Sequence, residues 1–177
     1  MKKILILLFL FLPAIAGAQF SRRELVKVRA MTATDAAHAG SELKVVVAAE
    51  ITKGFHINDH LPTLDYLIST KVVWEPHPAI SPGKMVYPSG ELKTFEFSDI
   101  AISVYEGTLL IGGSLGLSSK LAPGEHSLQG SLSYQACNEK ACFPPTRVPV
   151  EVRFRIVPSD TALERLHTEI FDQVKFE

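Results

Sequence analysis

Cys137 and Cys142 are the only thiols in the 177-residue chain, and four residues separate them. They lie in the run Ser133-Tyr134-Gln135-Ala136-Cys137-Asn138-Glu139-Lys140-Ala141-Cys142-Phe143-Pro144-Pro145. A close thiol pair has three chemical uses: a stabilising disulfide, a pair that exchanges with other thiols and disulfides, or part of a metal site. Exchange proceeds by thiolate attack on a disulfide sulfur, so it needs access and a suitable thiol. A structural metal site takes four ligands. Only two thiols are present, and Pro62 and the polar Asn58-Asp59 argue against a helix that presents His56 and His60 together. No metal and no cofactor is expected. In the chain-entropy model a closed loop of about six residues stabilises by only about 2 kcal/mol, near the low end for disulfides. The residues by themselves leave an exchanging pair and a structural disulfide both open.

The elements that position the pair read as a β-hairpin. Asn138-Glu139-Lys140-Ala141 is a short polar turn, so Cys142 starts a returning strand beside Cys137. Neighbouring antiparallel positions lie at Cα separations that a disulfide can bridge. Counting alternation from Leu132 and Tyr134 puts Cys137 with Ser131, Ser133 and Gln135 on the outer, polar face, unless a bulge intervenes. Pro144-Pro145 cannot donate ladder hydrogen bonds, which places this segment at an edge or an irregular end.

Most of the remaining chain alternates with period two. Val26, Val28 and Ala30 alternate with Lys27 and Arg29, and Leu43, Val45, Val47, Ala49 and Ile51 share one face of the next segment. Further strands are expected over Leu67 to Trp74, Lys84 to Tyr87, Ile100 to Tyr105 and Thr108 to Leu117. Gly112-Gly113 marks a bulge or a close backbone approach. After the Pro123-Gly124 turn, Leu128, Leu132, Tyr134 and Ala136 lie on one side of a long strand. Val148, Val150, Val152, Phe154 and Ile156 do so on the next. About eight or nine short strands predict an all-β protein, an immunoglobulin-like antiparallel β-sandwich, with an up-and-down barrel as the alternative. The tail departs from this pattern: Thr161 and Glu164 read as a capping box, and Leu163, Leu166, Ile170 and Val174 have helical spacing, so a short C-terminal helix is expected.

Lys2-Lys3, the apolar run from Ile4 to Leu12 and the small residues Ala16-Gly17-Ala18 read as a secretory signal peptide cleaved near Ala18. The expected organisation is a signal peptide over 1–18, one domain over 19–158 and a helical extension over 159–177. The location is then periplasmic or secreted, where a thiol pair is oxidised unless something reduces it. Of the 18 basic residues, Lys2 and Lys3 fall in the leader, leaving 16 against 19 acidic ones. With no basic block, nucleic acid is not an expected partner. A hydrolase has no nucleophile–base constellation to support it.

The run Tyr134-Gln135-Ala136-Cys137, four residues, then Cys142-Phe143-Pro144-Pro145 resembles the active-site hairpin of the DsbD N-terminal periplasmic domain family, the thiol–disulfide interchange proteins. Gly54-Phe55-His56-Ile57-Asn58, Pro62 and Tyr66-Leu67-Ile68 are similar to an upstream segment of the same family. The resemblance spans roughly residues 24 to 157. It implies an immunoglobulin-like domain that takes electrons from a membrane-embedded reductant and passes them to thioredoxin-like periplasmic or secreted proteins. Cys142 would form the mixed disulfide with the partner and Cys137 would resolve it. Lys140 would favour a thiolate and Glu139 would oppose one. The family also shields its pair with an aromatic cap loop, which the resemblance places at Thr94-Phe95-Glu96-Phe97-Ser98-Asp99. Phe95 and Phe97 are the cap candidates, though their strand-like spacing leaves core packing equally open. Tyr134 and Trp74 are read as core aromatics, and His56 either lines the site or sits in a solvated loop. DsbD joins its membrane and thioredoxin domains to this one in a single polypeptide. This chain has no Cys-x-x-Cys and no membrane segment, so the relay neighbours are expected in trans and the module as a monomer. The alternative is a secreted immunoglobulin-like binding module with a structural disulfide.

Overall fold

Apolar residues at every second position favour extended chain buried on one side. The structure, a computed structural model that describes residues 24–176, is built almost wholly from such strands. The leader assigned to 1–18 lies outside the described residues. The strands are β1 (Val26–Thr32), β2 (Ala37–His38), β3 (Glu42–Ile51), β4 (His56–Asn58), β5 (Lys71–Trp74), β6 (Ile80–Pro82), β7 (Glu91–Lys93), β8 (Ile102–Tyr105), β9 (Thr108–Leu117), β10 (Gly124–Tyr134), β11 (Ala136–Cys137) and β12 (Thr146–Val157). One helical turn, α1 (Thr168–Phe171), follows them.

Two sheets form the sandwich, ordered β1-β3-β9-β6 and β2-β12-β10-β5. All pairings are antiparallel except the short contact of β2 with β12. Val45 and Val47 of β3 and Ile111 and Leu115 of β9 share the core with Leu128, Leu132, Val150, Val152, Phe154 and Ile156 of the facing sheet. The architecture is the expected immunoglobulin-like sandwich. A third sheet, β11-β4-β8-β7, extends one end of it and carries the cysteines. Tyr134, Ala136, Ile57 and Tyr105 join this sheet to the main core, so the site rests on packed side chains.

Gly112-Gly113 is a close approach and not a bulge. The β3–β9 register runs unbroken from Glu42 opposite Gly116 to Glu50 opposite Thr108. A side chain on Gly112 would collide with Val174, and one on Gly113 with the Met85 thioether. Three expected strands are shorter than the sequence indicates, Ile100–Tyr105 by its first two residues. Only Lys71–Trp74 of the Leu67–Trp74 run is strand, because Leu67 turns down onto Phe95, Ile102 and Val104. Lys84–Tyr87 makes a single bridge, Val86 to Gly112, while the Tyr87 hydroxyl accepts the Val72 amide at 2.9 Å.

The expected capping box does not form. The Glu164 carbonyl accepts the Asp35 amide at 3.1 Å and the Leu166 amide donates to the Ala33 carbonyl at 2.9 Å. Those bonds hold the segment extended, so the helix is only one turn and starts from a left-handed His167 with φ 53°. Phe171, Ile170, Val174 and Phe176 then cover Val46 and Ala48 on the outer side of β3. This explains why β3 is buried on both faces through its middle.

Candidate redox site

The cysteine segment begins where β10 ends. Leu132, Ser133 and Tyr134 are all buried, so alternation has already lapsed before Gln135. At Gln135 the chain leaves the β10 sheet, and Ala136-Cys137 pairs with β4 instead, Ala136 opposite Ile57 and Cys137 opposite His56. The parity count from Leu132 therefore fails: Cys137 is not on an outer polar face but wholly buried, at 0 % exposure. Cys142 is exposed.

Cys137 and Cys142 form a disulfide, as a directly opposed pair. The bonds from the Asn138 amide to the Ala141 carbonyl (2.9 Å) and from the Phe143 amide to the Ala136 carbonyl (2.8 Å) bracket the pair. The cysteines thus occupy a non-hydrogen-bonded position, where opposed backbones come closest; their Cα atoms are 3.9 Å apart. The four-residue spacer closes through a side chain. Asn138 Oδ1 accepts the amides of Lys140 (3.0 Å) and Ala141 (2.9 Å). Asn is suited to this because its short amide mimics a backbone turn.

Gln135, which sequence reasoning placed among outward polar residues, holds the hairpin in position. Its Nε2 donates to the Phe143 carbonyl at 3.1 Å, and its Oε1 accepts from Asn58 Nδ2 at 3.3 Å and the Ile68 amide at 3.4 Å. The returning strand, β4 and the 59–70 loop thereby meet at one side chain. Its place inside the cysteine motif was the only signal available for it. Phe143, next to Cys142, packs against Phe55 with ring centroids 5.8 Å apart. Pro144 and Pro145 form the irregular, exposed link to β12.

The 94–99 segment lies in the loop between β7 and β8. Phe95 stacks on His56 at 4.0 Å and Phe97 stacks on Phe95 at 5.3 Å. Phe95 is also core, packed with Leu67, Ile102 and Val104. Phe97 and Glu96 are exposed. The aromatic stack leads from the surface to His56, the residue across the ladder from Cys137. His56 is no solvated loop histidine: it is 2 % exposed, and its Nε2 has no hydrogen-bond partner among the described residues. Burial pushes its pKa down, against the pull of Glu106 and with the help of Lys93. Tyr134 and Trp74 pack on the core, as read from sequence.

Beside β4 lies a polar cluster that fixes the neighbouring loop. Asp59 accepts the Tyr105 hydroxyl and the Ser103 hydroxyl, each at 2.6 Å, and the amides of Gly90 (3.0 Å) and Leu61 (3.1 Å). Burial raises the Asp59 pKa, but these four donors together outweigh it and hold the carboxyl below its ordinary value. Burial and the Asp59 partner push the Tyr105 phenol upward. His60 stacks on Tyr87 at 3.7 Å, away from the Phe95 stack that holds His56. Among the described residues no group of three or more His, Cys, Asp or Glu is placed to hold a metal ion.

The family profile described as thiol:disulfide interchange protein DsbD, N-terminal, matches residues 22–153. The N-terminal periplasmic domain of ScsB from Proteus mirabilis is similar in structure, with TM-score 0.54, 17% identity, 77% of this chain covered and 50% of that one. The chain thus spans about half the length of that protein's chain. The DsbD N-terminal domain of Neisseria meningitidis in the reduced form matches with TM-score 0.44, 18% identity, 73% of this chain covered and 90% of that one. No curated protein matches the chain. The match over most of the sandwich, with both cysteines inside it, places this chain in the DsbD N-terminal domain family.

Proposed function

We propose that the protein is an exported thiol–disulfide interchange module that relays reducing equivalents through Cys137 and Cys142. The observation that carries this reading is the contrast between the two cysteines, Cys142 exposed and Cys137 wholly buried. An incoming thiolate must approach a disulfide sulfur along the bond and expel the other sulfur. Only Cys142 offers that approach, so the partner bonds to Cys142 and Cys137 leaves. In the reverse direction Cys142 attacks the partner's disulfide and Cys137 resolves the mixed disulfide. Gln135 and Asn138 hold the two sulfurs' strands in register through both directions.

The partners are thioredoxin-like periplasmic or secreted proteins and a DsbD-like membrane reductant acting in trans, with the module a monomer after cleavage near Ala18. Exposed Phe143, next to Cys142, and exposed Ile68, tied to it through Gln135, suit an apolar docking rim. Phe95, Glu96 and Phe97 act as the cap segment. Among the described residues no helix is long and apolar enough to cross a membrane.

The test is electron transfer to a periplasmic disulfide substrate in a reconstituted relay. Cys137→Ser is expected to accumulate a mixed disulfide at Cys142, and Cys142→Ser to form none. Transfer that survives both substitutions sinks the proposal. A reduction potential below about −300 mV would instead favour the secreted binding module with a structural disulfide.

A further inference from the structure

Resolution of a mixed disulfide requires Cys137 to lose its proton, and Cys137 is the thiol least able to do so unaided. It is fully buried, and apolar burial holds the proton on a thiol. Its burial restricts the access of solvent hydroxide. The residue directly across the antiparallel ladder is His56. Opposed residues project from the same face of a sheet with Cβ atoms about 4.5–5.5 Å apart. The His56 ring is buried, clamped by Phe95 and backed by Phe97, and its Nε2 is unpaired among the described residues. A buried polar atom without a partner is unusual and calls for a reason.

We propose that His56 is the proton acceptor for Cys137 in the resolving step. This deepens the interchange reading and rests on it. In the mixed disulfide, the Cys137 thiol gives its proton to His56 Nε2. The sulfur's electron pair forms the bond to Cys142 Sγ, and the bond from Cys142 to the partner breaks with its pair on the partner's sulfur. His56 then returns the proton to that thiolate or to water. Two electrons pass from the pair to the partner: two thiols become a disulfide, and one disulfide becomes two thiols. In the opposite direction protonated His56 supplies the proton to Cys137 as it is expelled.

Two charged groups act on the ring. Glu106, just past β8, favours the protonated form, and Lys93 of β7 opposes it. Lys93 is itself paired with Glu106 and Glu91, which moderates both influences. Burial is the largest influence and favours the neutral imidazole, the form that can accept a proton. The stack of Phe95 and Phe97 excludes water from the ring face.

The test is stopped-flow reaction of the reduced full-length mature protein with dithiobis(nitrobenzoate). It releases one thionitrobenzoate on attack by Cys142 and a second on resolution by Cys137. In His56→Gln the second release is expected to slow about a hundredfold near neutral pH, the lower end of general-base effects. It should then rise in proportion to hydroxide, with the first release unaltered. Added imidazole should accelerate the second release in His56→Ala. If His56→Ala fails to fold, the pH profile of His56→Gln decides alone. The proposal is overturned if the second release keeps the wild-type pH profile, or if it slows with neither hydroxide dependence nor imidazole rescue. Failure of the interchange reading would show separately, as partner reduction that survives loss of either cysteine.

Discussion

Asn138→Ala tests whether the hairpin turn sets the redox poise of the pair. The substitution removes the acceptor for the Lys140 and Ala141 amides, at 3.0 and 2.9 Å, and leaves the backbone bond from the Asn138 amide to the Ala141 carbonyl. Each net hydrogen bond contributes about 0.5–1.5 kcal/mol, and exposed ones lie toward the lower figure. Glu139, Lys140 and Ala141 are exposed, so the two together are worth about 1 kcal/mol. The turn brings the sulfurs together, and the disulfide in turn holds the turn; with the bond reduced, the loop is freer to open. The lost energy therefore falls on the oxidised form. For a two-electron couple, about 1 kcal/mol corresponds to a potential about 20 mV more oxidising. Equilibration against a glutathione or dithiothreitol buffer, with the thiol content quenched and counted, measures this directly. Asn138→Asp keeps the acceptor oxygen and should remain near wild type. Equal potentials for Asn138→Ala and wild type, or equal shifts for the Ala and Asp variants, would refute the reasoning.

Two further predictions concern the scaffold. Gly112→Val should drive the tail off the outer face of β3, because the new side chain occupies the place of Val174. Overpacking of this kind costs about 1–3 kcal/mol, read as a lowered midpoint in urea, with Cys137–Cys142 exchange kinetics unchanged. Asp59 has a folded pKa below its unfolded value of about 3.9, so the stability it contributes is present above that pH and is lost as pH falls through the folded pKa. Asp59→Asn should accordingly flatten the acid limb of a stability–pH curve while lowering stability at neutral pH. An unchanged acid limb would show that its four donors do not hold the ionised carboxylate.

The long strands were legible because half-burial imposes period two on side chains. Thr108–Leu117 is strand over its whole predicted length, and Leu128, Leu132, Val150, Val152, Phe154 and Ile156 face inward as their spacing requires. Short pieces were less legible. Lys84–Tyr87 has strand composition, but whether it pairs depends on which edge is free, and only Val86 finds one. The Thr161/Glu164 pair carries a helix-start signature, yet two backbone bonds to Ala33 and Asp35 outcompete it. Local propensity is a weak preference when neighbouring chain offers partners.

At the cysteine hairpin the same division holds. Sequence by itself determined the thiol pair, its polar turn, the prolines after it and the strands that support it, since these follow from residue type and local spacing. Tertiary structure decided which cysteine is buried. The switch of sheets at Gln135 overrides the alternation of β10, because a strand's side assignment persists only while it stays in one ladder. It also placed His56 opposite Cys137 and Phe95 on His56, two neighbours 81 and 42 residues away from the hairpin's first cysteine in the chain. Contacts between residues so distant in sequence arise from strand order and register, which no local pattern encodes.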